Sequence, residues 1–143
     1  MSQPFNVFGV AALDAVATTD GVRHVLVDSD DNTNRMMVYK FETGDIWQLY
    51  AVTALPDGAS DSSWNVWSVL FNGVASQFWI DGVSAATGSV GAHNADGLTI
   101  GADRAGGAGW DGDITSVVIC DPSLSDAQRV AMQTATNAYW GCF

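Results

Sequence analysis

The sequence predicts an all-β chain, an antiparallel β-sandwich of jelly-roll type with one short C-terminal α-helix. Apolar runs of strand length are closed repeatedly by Gly or Asp-Gly, and no helical periodicity precedes residue 124. A capping signature then opens at Leu124-Ser125-Asp126-Ala127-Gln128, and the helical pattern stops at Tyr139-Trp140-Gly141. Strand upon strand with a single closing helix lacks the alternation of a βαβ fold, which leaves the sandwich. At 143 residues the chain is one domain by size and buries a core without metal or disulfide.

Each element has its own signal. Phe5, Val7 and Val10 stand among small residues over 5–13, as in a strand buried on at least one face. Thr18-Thr19-Asp20-Gly21 turns the chain into a strand over 23–28, Asp-Gly supplying the positive φ. A polar loop over 28–34 leads to strands over 36–41 and 46–52, joined as a hairpin through Thr43-Gly44-Asp45. Leu55-Pro56-Asp57-Gly58 breaks the ladder, and a loop runs to Ser63. Asn72-Gly73 between 64–71 and 74–80 is the strongest hairpin signal, because Asn-Gly accepts positive φ at both central turn positions. Asp81-Gly82 turns the chain again into a small-residue stretch that reaches Gly91, and apolar runs over 98–101 and 110–119 follow. In the helix, Ser125 and Gln128 form an S-x-x-Q capping box and Asp126 suits the N-terminal dipole. Ala127, Val130, Ala131, Ala138 and Tyr139 share a face expected to meet a sheet, with Gly141 just past the end.

Hydrophobic residues make up 48% and charged residues 15%, a globular balance rather than a disordered one. Five Lys and Arg against sixteen Asp and Glu give a formal net charge of -11, a field that repels phosphate backbones and argues against nucleic acid. The acid load serves solubility or, on a functional reading, calcium or a basic partner. No basic segment precedes an apolar run at the N-terminus, and no stretch approaches the ~18 apolar residues of a membrane span, so neither secretion nor a membrane partner is expected. The helix carries Cys142 away from Cys120 at about 1.5 Å per residue. The two then lie beyond the ~7 Å reach of a disulfide, and both thiols are expected unpaired unless one links to another chain.

Residues 78–82 with their Asp81-Gly82 turn, 98–101, Trp110-Asp111-Gly112-Asp113-Ile114 and Leu124-Ser125-Asp126-Ala127-Gln128 together resemble the concanavalin A-like lectin/glucanase superfamily. Within it, the resemblance is to the laminin-G-like jelly-roll domains common in phage structural proteins and bacterial surface proteins. It runs over most of the chain, strongest over 64–141, and the Ser2-Gln3-Pro4-Phe5-Asn6-Val7-Phe8 opening is similar to an early core strand. Ser116 departs from an acidic position, Cys120 from an aromatic one, and Asp121-Pro122 from a basic one. Such domains usually carry a segment before the Pro4-Phe5 strand, so a single domain over 1–143 is expected to lack it and to expose a sheet edge that a neighbouring chain covers. The resemblance implies a non-catalytic structural or adhesion protein: a phage virion component such as a capsid decoration, head fibre or tail-associated subunit. Its implied partners are other virion or surface proteins and further copies of itself. The implied location is the virion, reached from the host cytoplasm without a signal peptide, or else a cell surface. The alternative is a carbohydrate-binding, lectin-like module on a cell or virion surface, with glycans as partners.

Glycan hydrolysis in this superfamily needs paired carboxylates, one to protonate the leaving oxygen and one to attack or activate water. Glu42 is the only glutamate, and Asp111 and Asp113, though they alternate to one face, flank the Gly112 turn, so no catalytic residues are expected. His24 and His93 lie outside metal-ligand spacing and read as ordinary strand or loop residues. A GxGxxG match over 107–112 leads into a β-run rather than a helix and so cannot cradle phosphate. Asp28, Asp30, Asp31 and Asn32, with Asn34 behind them, offer the hard oxygens calcium prefers, making calcium the one candidate cofactor. The spacing is not an EF-hand, since Thr33 takes the place of its Gly and Tyr39 of its closing Glu. Of six tryptophans, Trp64, Trp67 and Trp79 read as core, and Trp47 with them. Trp110, in a Gly-rich loop at the rim, is the candidate for stacking on a sugar, with Asp103, Arg104 and Asp111 as its polar neighbours.

Overall fold

Two five-stranded antiparallel sheets lie face to face in a computed structural model that describes residues 1–31 and 33–143. In chain order the elements are β1 (Phe5–Leu13), β2 (His24–Asp28), β3 (Met37–Phe41), β4 (Ile46–Tyr50), β5 (Ala54–Ala59), β6 (Asn65–Phe71), β7 (Ser76–Ile80), β8 (Val83–Gly88), β9 (Thr99–Ile100), β10 (Gly112–Cys120) and α1 (Asp126–Trp140). The first sheet runs β10-β1-β6-β7-β8 and the second β5-β4-β3-β2-β9. This is the predicted sandwich with its closing helix. Among the described residues no helix is long and apolar enough to cross a membrane, and both cysteines are free.

Period-2 alternation fills the space between the sheets. Phe5, Val7 and Leu13 of β1, Val69 and Phe71 of β6 and Phe78 of β7 meet Leu26, Val38, Trp47 and Leu49 of the second sheet. Phe5 and Phe71, opposite each other across the β1–β6 ladder, stack at 5.2 Å. The other face of β1 is buried as well: Asn6, Phe8 and Val10 point away from that core yet are almost fully covered. They lie on the face that α1 crosses, since Asn6 accepts the Leu124 N–H at 2.8 Å just before the helix begins.

Several expectations need correction. The stretch read as a ladder-breaking loop is strand β5, paired with β4 through Leu49–Leu55 and Tyr50–Ala54. Pro56 is tolerated because β5 is an edge strand and needs no N–H on its open side. The small-residue stretch after Gly82 is likewise a strand, β8, paired with β7. The tight two-residue hairpin falls at Asp81-Gly82, both at positive φ (52° and 79°), between the paired residues Ile80 and Val83. At Asn72-Gly73 only Gly73 has positive φ, and one 3-10 turn over Gly73–Ala75 replaces the expected turn. Side chains capture the backbone there: Ser76 Oγ accepts the Asn72 N–H at 2.9 Å and Gln3 Oε1 accepts that of Gly73.

The helix forms as predicted, with Ser125 and Gln128 in a capping box and Gly141 at φ 68° closing its end. Its docking face is not the predicted one. Ala127, Val130, Ala131, Ala138 and Tyr139 are exposed, and Arg129 and Gln133 are buried. The outer side of the first sheet presents Ser68 and Trp79, which want a hydrogen bond and a cation rather than methyl groups. Gln133 donates to Ser68 Oγ at 2.9 Å, and the Arg129 guanidinium lies 3.9 Å above the Trp79 ring while donating to Gln133 Oε1.

Candidate functional site

Where the end of α1 meets the outer side of the first sheet, three local features open a pocket. The β1–β10 ladder shifts register at Val10/Ala11, pairing Val10 with Ser116 and Ala11 with Ile114. Thr115 is left as a bulge, its hydroxyl directed at the Val10 carbonyl (3.4 Å). Before β6, the Asp81 carboxylate accepts the Val66 N–H (2.7 Å) and the Asn65 amide (3.0 Å), pinning the strand's start and with it Trp64. After α1, Gly141 reverses the chain and donates to the Asn137 carbonyl at 2.6 Å, while Asn137 Oδ1 accepts the Phe143 N–H at 2.8 Å. Cys142 is thereby turned inward.

The resulting cavity of about 170 Å³ is lined by Val10, Trp64, Thr115, Trp140 and Cys142. Val10 is fully buried, but Trp64 and Trp140 remain 39% and 44% exposed. Tyr139 sets its ring edge-on to Trp140 at 4.9 Å, widening the aromatic surface. Burial, with the charge of Asp81 behind it, pushes the Cys142 thiol up, so it stays protonated at neutral pH. The lining therefore holds two indole planes, one hydroxyl and one neutral thiol, and no acid or base. Neither tryptophan was singled out from sequence. Trp64, expected in the core, lies just ahead of the first paired residue of β6 and so outside the sandwich, and Trp140 carried no signal beyond marking the helix end.

The residues that sequence did single out lie elsewhere. Asp28, Asp103 and Arg104 come together around Arg35. Asp28 is fully buried and accepts Arg35 through both carboxylate oxygens, with a shortest distance of 2.8 Å, as well as the Arg104 N–H at 3.0 Å. Asp103 accepts the backbone N–H groups of Gly107 (2.7 Å) and Ala105 (3.1 Å) and lies 3.9 Å from Arg35. The Gly107 N–H chiefly holds its carboxyl below the usual range, against burial. Asp31 accepts the N–H groups of Thr33 and Asn34, Asp30 is exposed, and Asn32 lies outside the described residues. Among the described residues no three acidic, His or Cys side chains converge as metal ligands. Trp110 stacks on Trp47 at 5.7 Å and donates its indole N–H to the Ala12 carbonyl at 3.2 Å, so it plugs the rim of the core; Asp111 is exposed beside it.

His24 is more than an ordinary strand residue. It is buried, with Nε2 2.8 Å from Asp20 and Nδ1 3.1 Å from the Gly109 carbonyl. Asp20 also accepts the fully buried Lys40 ammonium at 2.8 Å, which Asp45 meets from a second side at 2.5 Å. In this ionic knot the buried imidazole and ammonium are both met by carboxylates of the chain itself.

No protein-family model matches the chain, and no curated protein matches it. Solved structures match in fold. A Trypanosoma rangeli sialidase, in complex with 2,3-difluoro-KDN, aligns with a TM-score of 0.69 over 93% of this chain at 14% identity. A carbohydrate-binding protein from Bacteroides ovatus, described as putative in its name, aligns at 0.63 over 80% and 12% identity. Domain 4 of AbnA, a GH43 extracellular arabinanase from Geobacillus stearothermophilus in complex with arabinotriose, aligns at 0.64 over 92% and 14% identity. The chain spans 23% of the sialidase, 36% of the Bacteroides protein and 66% of the arabinanase-domain chain, so what is shared is the β-sandwich.

Proposed function

We propose that this chain is a non-catalytic carbohydrate-binding module whose site is the pocket between Trp64 and Trp140. The observation that carries the reading is the pair of half-exposed indoles flanking a cavity of about 170 Å³. An apolar cavity of about 150 Å³ holds a benzene ring, so this one has room for a single six-membered ring. Exposed indoles supply flat apolar faces at little entropic cost, the chemistry that the C–H face of a sugar ring needs. None of the five lining residues is a carboxylic acid, and glycoside hydrolysis uses a pair of them. The sandwiches it matches include a protein described as carbohydrate-binding and an arabinanase domain holding an arabinose trisaccharide, which supports the reading. A glycan array followed by tryptophan-fluorescence titration tests it. Saturable binding of one sugar class that Trp140→Ala abolishes is expected, and a blank array with flat titrations overturns it.

The implied display on a virion or cell surface stands as a second proposal, favoured by the apolar outer face of α1, where Ala127, Val130, Ala131 and Ala138 lie open. Co-purification with particles, lost in Val130→Asp, is its test.

A further inference from the structure

We infer that the Trp64–Trp140 pocket takes the methyl end of a neutral 6-deoxyhexose at the tip of a glycan. This rests on the carbohydrate-binding reading and names the sugar. Three observations narrow the choice. The cavity, at about 170 Å³, holds one ring, so the residue that enters is a chain terminus and the rest of the glycan stays outside. The floor is Val10 and Cys142; the hydrogen-bonding groups of the lining are the Thr115 hydroxyl, already directed at the Val10 carbonyl, and the indole N–H groups of Trp64 and Trp140, which donate but cannot accept. A CH₂OH group placed there leaves its hydroxyl hydrogen short of an acceptor, and an N-acetyl group leaves its amide N–H in the same position, whereas a C6 methyl asks for none. Charge removes the remaining candidates. The chain carries a formal charge of -11, and Asp81, whose charge reaches Cys142, lies close by, so carboxylated sugars such as sialic or uronic acids meet a repulsive field without a compensating cation in the lining. The structural likeness to sialidases therefore does not extend to an anionic ligand.

The discriminating measurement is calorimetric titration of the intact chain with methyl glycosides that differ only at C6: L-fucoside against L-galactoside, and L-rhamnoside against L-mannoside, with a sialoside as the charged control. At least one 6-deoxy sugar is expected to bind about tenfold or more tightly than its hydroxylated parent, within the roughly hundredfold that an apolar pocket achieves against an added hydroxyl. The sialoside is expected not to bind. Cys142→Ser, which places a hydroxyl on the floor, is expected to narrow that ratio, and Trp64→Ala and Trp140→Ala to abolish binding while circular dichroism and melting stay close to wild type. Equal or better binding of the parent hexoses, binding of the sialoside, or binding that survives both tryptophan substitutions overturns this inference and leaves a carbohydrate module of another specificity or site. Absence of binding to every sugar tested, on the array as well as here, overturns both readings together.

Discussion

The indole of Trp67 lies directly over Gly9, its partner across the β1–β6 ladder, so closely that a Cβ on Gly9 would fall 2.0 Å from Trp67 Cζ2. Gly9 is in extended backbone, and what selects glycine here is the space that a core tryptophan needs. Gly9→Ala is therefore expected to cost about 3 kcal/mol, at the upper end for overpacking, because the ring is enclosed on all sides. Chemical denaturation at constant m-value checks it. In the double variant with Trp67→Phe much of the loss should return, since the smaller ring frees the space and also removes a buried indole N–H that has no partner among the described residues.

Acid sensitivity should trace to the knot around Lys40. The Lys40 ammonium foremost holds the Asp20 carboxyl well below its ordinary value of 3.8. A carboxylate with a depressed folded-state value adds stability that is complete above about pH 4 and fades as pH falls further. Lys40 is shifted upward by Asp20 and Asp45 against the effect of burial, so its own contribution holds below about pH 10 and fades above it. Lys40→Met removes the ammonium from between the two carboxylates and leaves Asp20 with His24 and the Val22 N–H, and Asp45 with the Gly21 N–H. Since each is partly solvated, the expected loss is about 2 kcal/mol at pH 7, below that of a wholly buried pair. Melting curves from pH 2.5 to 7 should fall more steeply below pH 4 for the wild type, with the two proteins converging at the acid end.

These two clusters mark how far the sequence could be read. The alternation in β1, β6 and β10 and the Ser125/Gln128 box are local signals, and the corresponding elements stand where they were expected. Strands β5 and β8 escaped for a physical reason: Pro56 reads as a breaker unless the strand is known to be an edge, and Ser84-Ala85-Ala86 has no apolar rhythm. The helix face was misassigned because Arg129 counts as polar by composition while its flat guanidinium packs on Trp79 like an aromatic plate. For the tryptophans the deciding facts are long-range. Trp110 is plugged into the core by Trp47, and Trp64 and Trp140 become neighbours only once α1 has crossed the first sheet.

Docking of α1 and ligand binding should fail together. Arg129→Ala removes the cation above Trp79 and the donor that holds Gln133 against Ser68, at an expected cost of about 1–2 kcal/mol. Because α1 carries Trp140 to the pocket, sugar affinity should drop by about tenfold or more in the same variant. Val130→Ser, on the open side of the helix, should leave both unchanged within about 0.5 kcal/mol. Parallel denaturation and titration of the two variants separate an effect of docking from one of helix propensity.

The last residue of the site's scaffold is Gly141, which holds φ 68° at the point where the chain leaves α1 and turns Cys142 toward Val10. A Cβ at this position would meet no other atom within 4 Å, so the cost of Gly141→Ala is one of backbone conformation alone, about 1 kcal/mol for a non-glycine residue held in the left-handed region. That is too small to unfold the protein, yet it acts on the two residues, Trp140 and Cys142, that form one side of the pocket. If the tail relaxes toward negative φ to escape the strain, Cys142 leaves the floor and sugar affinity falls by more than the loss in stability accounts for. Gly141→Asn, whose side chain tolerates the left-handed region, is expected to retain most of the affinity at nearly wild-type stability. Titration of the three proteins with the same sugar checks the order Gly, Asn, Ala; equal affinities across the series mean that the turn at Gly141 does not set the shape of the pocket.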